Sequence, residues 1–251
     1  MQGSGTVARG PVFLIGGGWN EAGFSHTYGR FVAAVAANGG RRIACILLDM
    51  EDRDAYFARS VAAFGAVGFT ALEPVFVSPE RPLQEADLAG ADGIFIGGGL
   101  TPAYHDAIVP AAASWLSALV ERGMPYAGFS AGAMIAPTSG IIGGWKLSTE
   151  DGDLAICSED VSEDEEYLDV RSGLGLVPFA VDVHASQYGT PTRLLHAVRS
   201  GAVSEGWAVD EDAVLEVREG AITVHGLGSA YRVRPAGDAL IVDILTNGDS
   251  R

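Results

Sequence analysis

The amino-acid sequence predicts an α/β protein: a mostly parallel, doubly wound sheet with helices on both faces and a short antiparallel C-terminal extension. Three observations carry that expectation. Short apolar runs recur along the first half of the chain without polar alternation, as strands buried on both faces require. Segments of helical spacing separate them, the arrangement of βα units. Several runs end in glycines, where loops turn at the carboxyl edge of such a sheet. No Pro-, Ser- or charge-rich linker divides the chain, and residues 1–251 are read as a single domain.

Taken in order, "PVFLIGG" (11 to 17) is an apolar run closing in glycines, followed by the helical "FSHTYGRFVAAVAANGG" with its glycine stop. "RIACILLD" (42 to 49), "LEPVFV" (72 to 77) and "DGIFIGGG" (92 to 99) are further strands, and "RDAYFARSVAAFGAVG" (53 to 68) is a helix. "TPAYHDAIVPAAASWLSALVERG" (101 to 123) is a long helix with Pro102 suited to its first turn. "MPYAGFS" then runs as a strand into "GFSAGA" (128 to 133). The C-terminal part changes character. "GWAVDEDAVLEV", "AITVHGLG", "YRVRP" and "ALIVDIL" are short strands with tight turns, an antiparallel extension of the same sheet or a small second layer.

The formal charge of -16 repels phosphate backbones and anionic lipids, so neither nucleic acid nor membrane is expected as a partner. No run approaches the ~20 apolar residues of a membrane span. "MQGSGTVARG" lacks the apolar segment of a secretion signal, and a cytoplasmic location is expected. Cys45 and Cys157 read as buried, inert thiols rather than a disulfide or metal site, and no metal is expected. Much of the negative charge falls in residues 148–169, which reads as a solvated acidic loop, with a lid or partner surface as the competing reading.

Ser130 stands between Gly128 and Gly132 where a strand ends and a helix begins. A G-x-S-x-G turn there lifts the hydroxyl clear of the sheet and aims the N–H of Ala131 at the same point, the geometry of a nucleophile beside an oxyanion donor. A turn serving only close helix packing gives the same residues. The glycines of "IFIGGGL" (94 to 100) lie after a neighbouring strand, so Gly98 or Gly99 can supply a second donor. A phosphate loop is the competing reading, but the G-x-G-x-x-G spacing and the P-loop lysine are missing. A serine nucleophile needs a base. Of His26, His105, His184, His196 and His225, His184 is best placed, at the end of the strand "FAVDVHA", with His26 more suited to a cap or wall.

"GFSAGAMI", "IFIGGG" and "GLGLVPFAVDVHASQYGTPTRLLHAV" together resemble the cyanophycinase and dipeptidase E family of serine peptidases. "GWAVDEDAVLEV" followed by "VHGLG" extends the likeness over most of the chain. The resemblance implies a class I glutamine-amidotransferase-like fold with a flavodoxin-like core, and is closer to the cyanophycinase-like branch. It implies Ser130 as nucleophile, His184 as general base, Gly98 and Ala131 as the oxyanion hole, and Asp182, Gln187 and Arg193 as polar groups around the histidine. For the third triad member the family has a Glu shortly after a Gly-Gly pair. Counting from Gly143 and Gly144 lands on Ser148, so Glu150 is the choice, with Asp151 and Asp153 behind it. Gly99 and Leu100 stand where cyanophycinases carry a glutamine after their glycine pair, and Tyr188 and Thr190 where they carry pocket arginines. Arg193 alone remains of that basic set.

The expected activity is therefore a serine peptidase or amidase that cleaves a small or short-peptide substrate without a cofactor. The competing readings are a hydrolase of non-peptide metabolites and a non-catalytic binding or regulatory member of the fold. Since the family includes dimers, the resemblance implies a homodimer.

Overall fold

The computed structural model describes residues 8–251. Most of the N-terminal stretch read above for a secretion signal thus lies outside the described residues. From β1 (Val12–Ile15) the chain passes through α1 (Tyr28–Ala37), β2 (Ile43–Leu48), α2 (Arg53–Ala66), β3 (Leu72–Val77), β4 (Gly93–Ile96), α3 (Thr101–Glu121) and β5 (Tyr126–Phe129) to the one-turn α4 (Ala131–Met134). There follow β6 (Ser139–Gly143), β7 (Lys146–Thr149), β8 (Gly152–Ala155), β9 (Asp169–Ser172), β10 (Ala180–Val183), α5 (Ala185–Tyr188) and α6 (Pro191–Arg199). The chain closes with β11 (Gly206–Val209), β12 (Ala213–Arg218), β13 (Ala221–Gly226), β14 (Ala230–Ala236) and β15 (Ala239–Leu245).

Seven strands form the main sheet in the order β13-β12-β1-β5-β4-β2-β3. The five from β1 to β3 in that order run parallel, and β12 and β13 extend them antiparallel. Successive residues of a strand point to opposite faces, and both faces are apolar. Phe13 and Ile15 pack with Phe31 of α1 and Phe64 of α2, whereas Val12 and Leu14 pack with Ile108 and Leu116 of α3. Burial on both sides is why these strands read as unbroken apolar runs.

The two readings of the C-terminal strands are both realised, by different strands. β12 and β13 extend the main sheet. β14 and β15 join β11 and β10 in a second sheet of order β10-β11-β14-β15. The chain crosses between sheets at the turn Asp210–Asp212, which places three consecutive acidic residues at the junction.

The segment 148–169 departs from the expected loop. It contains most of the β7–β8 hairpin and a 3₁₀ turn at Glu159–Val161, and it leads into β9, which pairs with β6. Both thiols are free; Cys45 is buried as expected, whereas Cys157 is only half-buried. Among the described residues no helix is long and apolar enough to cross a membrane. No group of three or more His, Cys, Asp or Glu among them is placed to hold a metal ion.

Candidate active site

Ser130 follows the last residue of β5 and precedes α4. Its φ of 51° and ψ of -112° are rare for a residue with a side chain, a conformation that costs on the order of 1–3 kcal/mol and is held only by its surroundings. The holding bonds are Ser130 N–H to the Ile15 carbonyl, 2.9 Å, and Gly132 N–H to the Gly97 carbonyl, 3.1 Å. The flanking glycines follow from the same close turn. A β-carbon on Gly128 would strike the Gly132 carbonyl, and one on Gly132 would strike the Ile96 carbonyl. The expected helix after Ser130 is a single turn, so little macrodipole reaches the hydroxyl. The local donor is the Ala131 N–H, which makes no hydrogen bond among the described residues.

His184 directly follows β10, a strand of the second sheet rather than of the sheet that carries Ser130. It reaches the serine because its N–H donates to the Gly16 carbonyl, 2.9 Å, which docks the end of β10 on the loop after β1. Ser130 Oγ lies 2.9 Å from His184 Nε2, and His184 Nδ1 lies 2.7 Å from Glu211 Oε1. Tyr188 stacks on the imidazole at 4.7 Å between ring centroids. Gln187 accepts the Glu211 N–H, 3.0 Å, and so fixes the turn rather than facing the cleft.

Glu150 corrects the sequence reading. It lies exposed in the turn of the β7–β8 hairpin and makes no hydrogen bond to His184, whose two ring nitrogens face Ser130 and Glu211. Asp151 is exposed in the same turn, and Asp153 accepts from the Tyr167 hydroxyl. Glu211 was missed although it stands inside the quoted "GWAVDEDAVLEV". The signal that points to it is topological: β10 and β11 pair in parallel, so the residues just beyond both strands meet. Its neighbours have separate tasks. Asp210 accepts from Ser186 and Ser229 N–H, and Asp212 accepts from Asn20 N–H.

The Gly98 N–H, expected as an oxyanion donor, is engaged: it donates to the Tyr56 hydroxyl oxygen, 2.9 Å. Gly99 and Leu100 line the cleft, as does Thr190, whose own hydroxyl donates to the Val183 carbonyl. The other histidines lie apart from the serine. His105 is buried against the Ser172 carbonyl, and His225 lies 3.1 Å from Glu216.

Arg193 is the second correction. Read as the remaining basic residue of the substrate pocket, it spends its fork on Asp182, Nε to Oδ2 at 2.8 Å and Nη2 to Oδ1 at 2.7 Å. Both side chains are almost wholly buried. Burial works against the guanidinium charge, but the carboxylate outweighs it and keeps Arg193 protonated. Nη1 donates to the Val161 carbonyl, 2.7 Å, so the pair ties the acidic segment to the site. Asp182→Ala is expected to lower unfolding free energy by about 3–5 kcal/mol in urea titration, because a buried guanidinium is left unpaired. A loss below about 1 kcal/mol would show that water reaches the pair.

Together these elements enclose a cleft of about 470 Å³. Trp19, Tyr56 and Phe129 form one wall; Asp160, Glu163 and Asp164 of the acidic segment form another. Glu163 accepts the Thr101 N–H at the start of α3, 2.9 Å. Burial pushes its carboxyl above the usual carboxylate range, with the Thr101 N–H and Arg193 pulling it partly back.

The family model described as "Peptidase family S51" matches residues 12–225. The crystal structure of a peptidase from an acI-B1 Actinobacterium superposes with a TM-score of 0.68 at 17% identity, covering 98% of this chain and 98% of that one. A putative Peptidase E protein from Listeria monocytogenes EGD-e has a TM-score of 0.55 at 17% identity, covering 88% of this chain and 100% of that one. These two likenesses are likenesses of fold. No curated protein sequence matches the chain significantly.

Proposed function

The chain belongs to peptidase family S51, and on that premise we propose that it is a serine peptidase whose catalytic triad is Ser130, His184 and Glu211. The observation that carries the reading is the line of hydrogen-bond contacts from Ser130 Oγ through the two ring nitrogens of His184 to Glu211, at 2.9 and 2.7 Å. In this mechanism Ser130 Oγ attacks the scissile carbonyl carbon while His184 Nε2 takes the hydroxyl proton. The same nitrogen returns the proton to the departing amine, leaving an acyl group on Ser130. A water molecule then attacks the ester, again giving its proton to His184, and frees the acid and the serine. Glu211 holds the Nδ1–H tautomer and stabilises the imidazolium without taking the proton. The Ala131 N–H faces the carbonyl oxygen as it becomes an oxyanion.

The cleft has the size of a small-ligand site, which suits a short peptide or an amino-acid-derived amide. Its charge argues for the substrate's polarity. Asp160, Glu163 and Asp164 line it, and Arg193, the one arginine among its described lining residues, is neutralised by Asp182. A carboxylate brought beside the scissile amide meets like charge, and the enclosed part of that repulsion is poorly screened by salt. Dipeptides with neutral or cationic side chains are therefore expected to be cleaved at least ~10-fold faster, in kcat/KM, than Asp-Xaa dipeptides, and cyanophycin poorly. A panel of these substrates assayed with purified protein tests both parts. Cleavage of none of them sinks the peptidase reading. Preferred cleavage of Asp-Xaa dipeptides or cyanophycin sinks only the charge argument.

A further inference from the structure

In the arrangement implied by the motifs, the Gly98 N–H and the Ala131 N–H receive the oxyanion together. The structure breaks that symmetry. Gly98 is in the right neighbourhood, since a β-carbon on it would come within 2.8 Å of Ser130 Cβ. Its N–H is nevertheless committed to the phenolic oxygen of Tyr56 at 2.9 Å. The hydroxyl therefore occupies a position that an oxyanion bound to this N–H would take.

Tyr56 keeps a donor of its own. Its oxygen accepts from Gly98, and its O–H proton has no acceptor among the described residues. The residue lines the same cleft as Ser130, Gly98 and Gly99. It is anchored there: it belongs to α2, and Trp19 packs edge-on to its ring at 5.7 Å between centroids. The second face of the glycine loop is fixed by Tyr104, whose hydroxyl lies 3.3 Å from the Gly98 carbonyl and 3.3 Å from the Leu48 N–H. The two tyrosines thus hold the Gly98 peptide by its N–H and by its carbonyl. Burial, the largest influence on Tyr56, pushes its phenol well above the ordinary tyrosine range, so the proton stays in place through neutral pH.

We propose that the Tyr56 hydroxyl completes the oxyanion hole, donating to the oxyanion opposite the Ala131 N–H. The Gly98 N–H acts one step back, polarising the phenol by donating to its oxygen. The phenolic proton stays on Tyr56 throughout, so no proton is added to or lost from the hydrolytic cycle. The role rests on Ser130 being the nucleophile. It gives a specific function to an aromatic residue of α2 that no motif singles out.

The test uses an alkyl fluorophosphonate, whose P=O oxygen occupies the oxyanion hole as Ser130 is phosphonylated, so no substrate need be known. The second-order labelling rate of the full chain is compared with that of Tyr56→Phe, with melting temperature as the fold control. A folded Tyr56→Phe is expected to label about 10²–10³-fold more slowly, the usual loss for one oxyanion donor. Labelling as fast as wild type or faster overturns the proposal, since a backbone N–H of Gly98 or Gly99 then suffices. Site-specific 3-fluorotyrosine at 56 keeps shape and hydroxyl but strengthens the donor, and it separates donation from mere bracing of the loop. Its labelling rate is expected to rise, and an unchanged rate overturns donation even if Tyr56→Phe fails to fold. Wild-type protein that does not label at all overturns the underlying serine-hydrolase reading instead, and Tyr56's role with it.

Discussion

Ser130→Ala is expected to lower amide hydrolysis by roughly 10⁴–10⁶-fold in kcat while KM changes little, the pattern of a group that acts only in the chemical steps. The fold is expected to survive. Alanine keeps the β-carbon, so the turn keeps the same backbone conformation at φ 51°, and the bonds from Ser130 N–H to Ile15 and from Gly132 N–H to Gly97 involve backbone alone. Among the described residues the hydroxyl oxygen bonds only to His184, which has a second partner in Glu211. Steady-state kinetics with the best substrate of the panel, alongside a thermal melt, measures both. Turnover within tenfold of wild type would remove Ser130 from the chemistry.

The second large effect separates two glutamates. Glu211→Gln is expected to cut kcat by about 10²–10⁴-fold, because the amide neither balances an imidazolium nor selects the Nδ1–H tautomer. Glu150→Gln is expected to leave turnover within twofold, since Glu150 sits exposed in a hairpin turn. Parallel assays of the two variants decide the matter. The reverse pattern would require the β7–β8 hairpin to fold over the cleft in the active enzyme and would restore the assignment made by counting from the Gly-Gly pair.

That contrast shows what local pattern reveals and where it stops. The parallel half of the sheet is legible because β1, β2, β4 and β5 are buried on both faces and β1 and β4 run into glycines at their carboxyl ends, both read from neighbours along the chain. The turn at Ser130 is legible for the same reason: Gly128 and Gly132 are needed by contacts within a few residues of the serine or directly across the sheet. His184 was found at a strand end, but its strand belongs to the second sheet, and it is the bond to Gly16 and the packing of β10 against α4 that bring it to the serine. Glu211 depends on how those two sheets join at Asp210–Asp212, a relation that spacing does not encode. With 32 acidic residues in the chain, many positions satisfy a count from a glycine pair.

Arg193 failed differently. A lone arginine near a candidate site in an acidic chain invites a substrate carboxylate, yet its partner Asp182 lies on the preceding strand, pointing at the same helix. A buried guanidinium needs a carboxylate more than a solvated one does, because its charge has no water to face. The acidic segment was legible as charge, with a solvated loop as the first reading and a lid or partner surface as the competing one. Arg193 and the start of α3 hold it against the cleft, and that turns a stretch of solvated sequence into a wall of the site.

The most direct test of the central claim is the site of covalent modification. Wild-type protein treated with a fluorophosphonate, digested and analysed by tandem mass spectrometry is expected to carry one adduct, on Ser130, and Ser130→Ala is expected to carry none. An unmodified Ser130 under conditions that label a control serine hydrolase, or an adduct on another residue that persists in Ser130→Ala, would contradict the account.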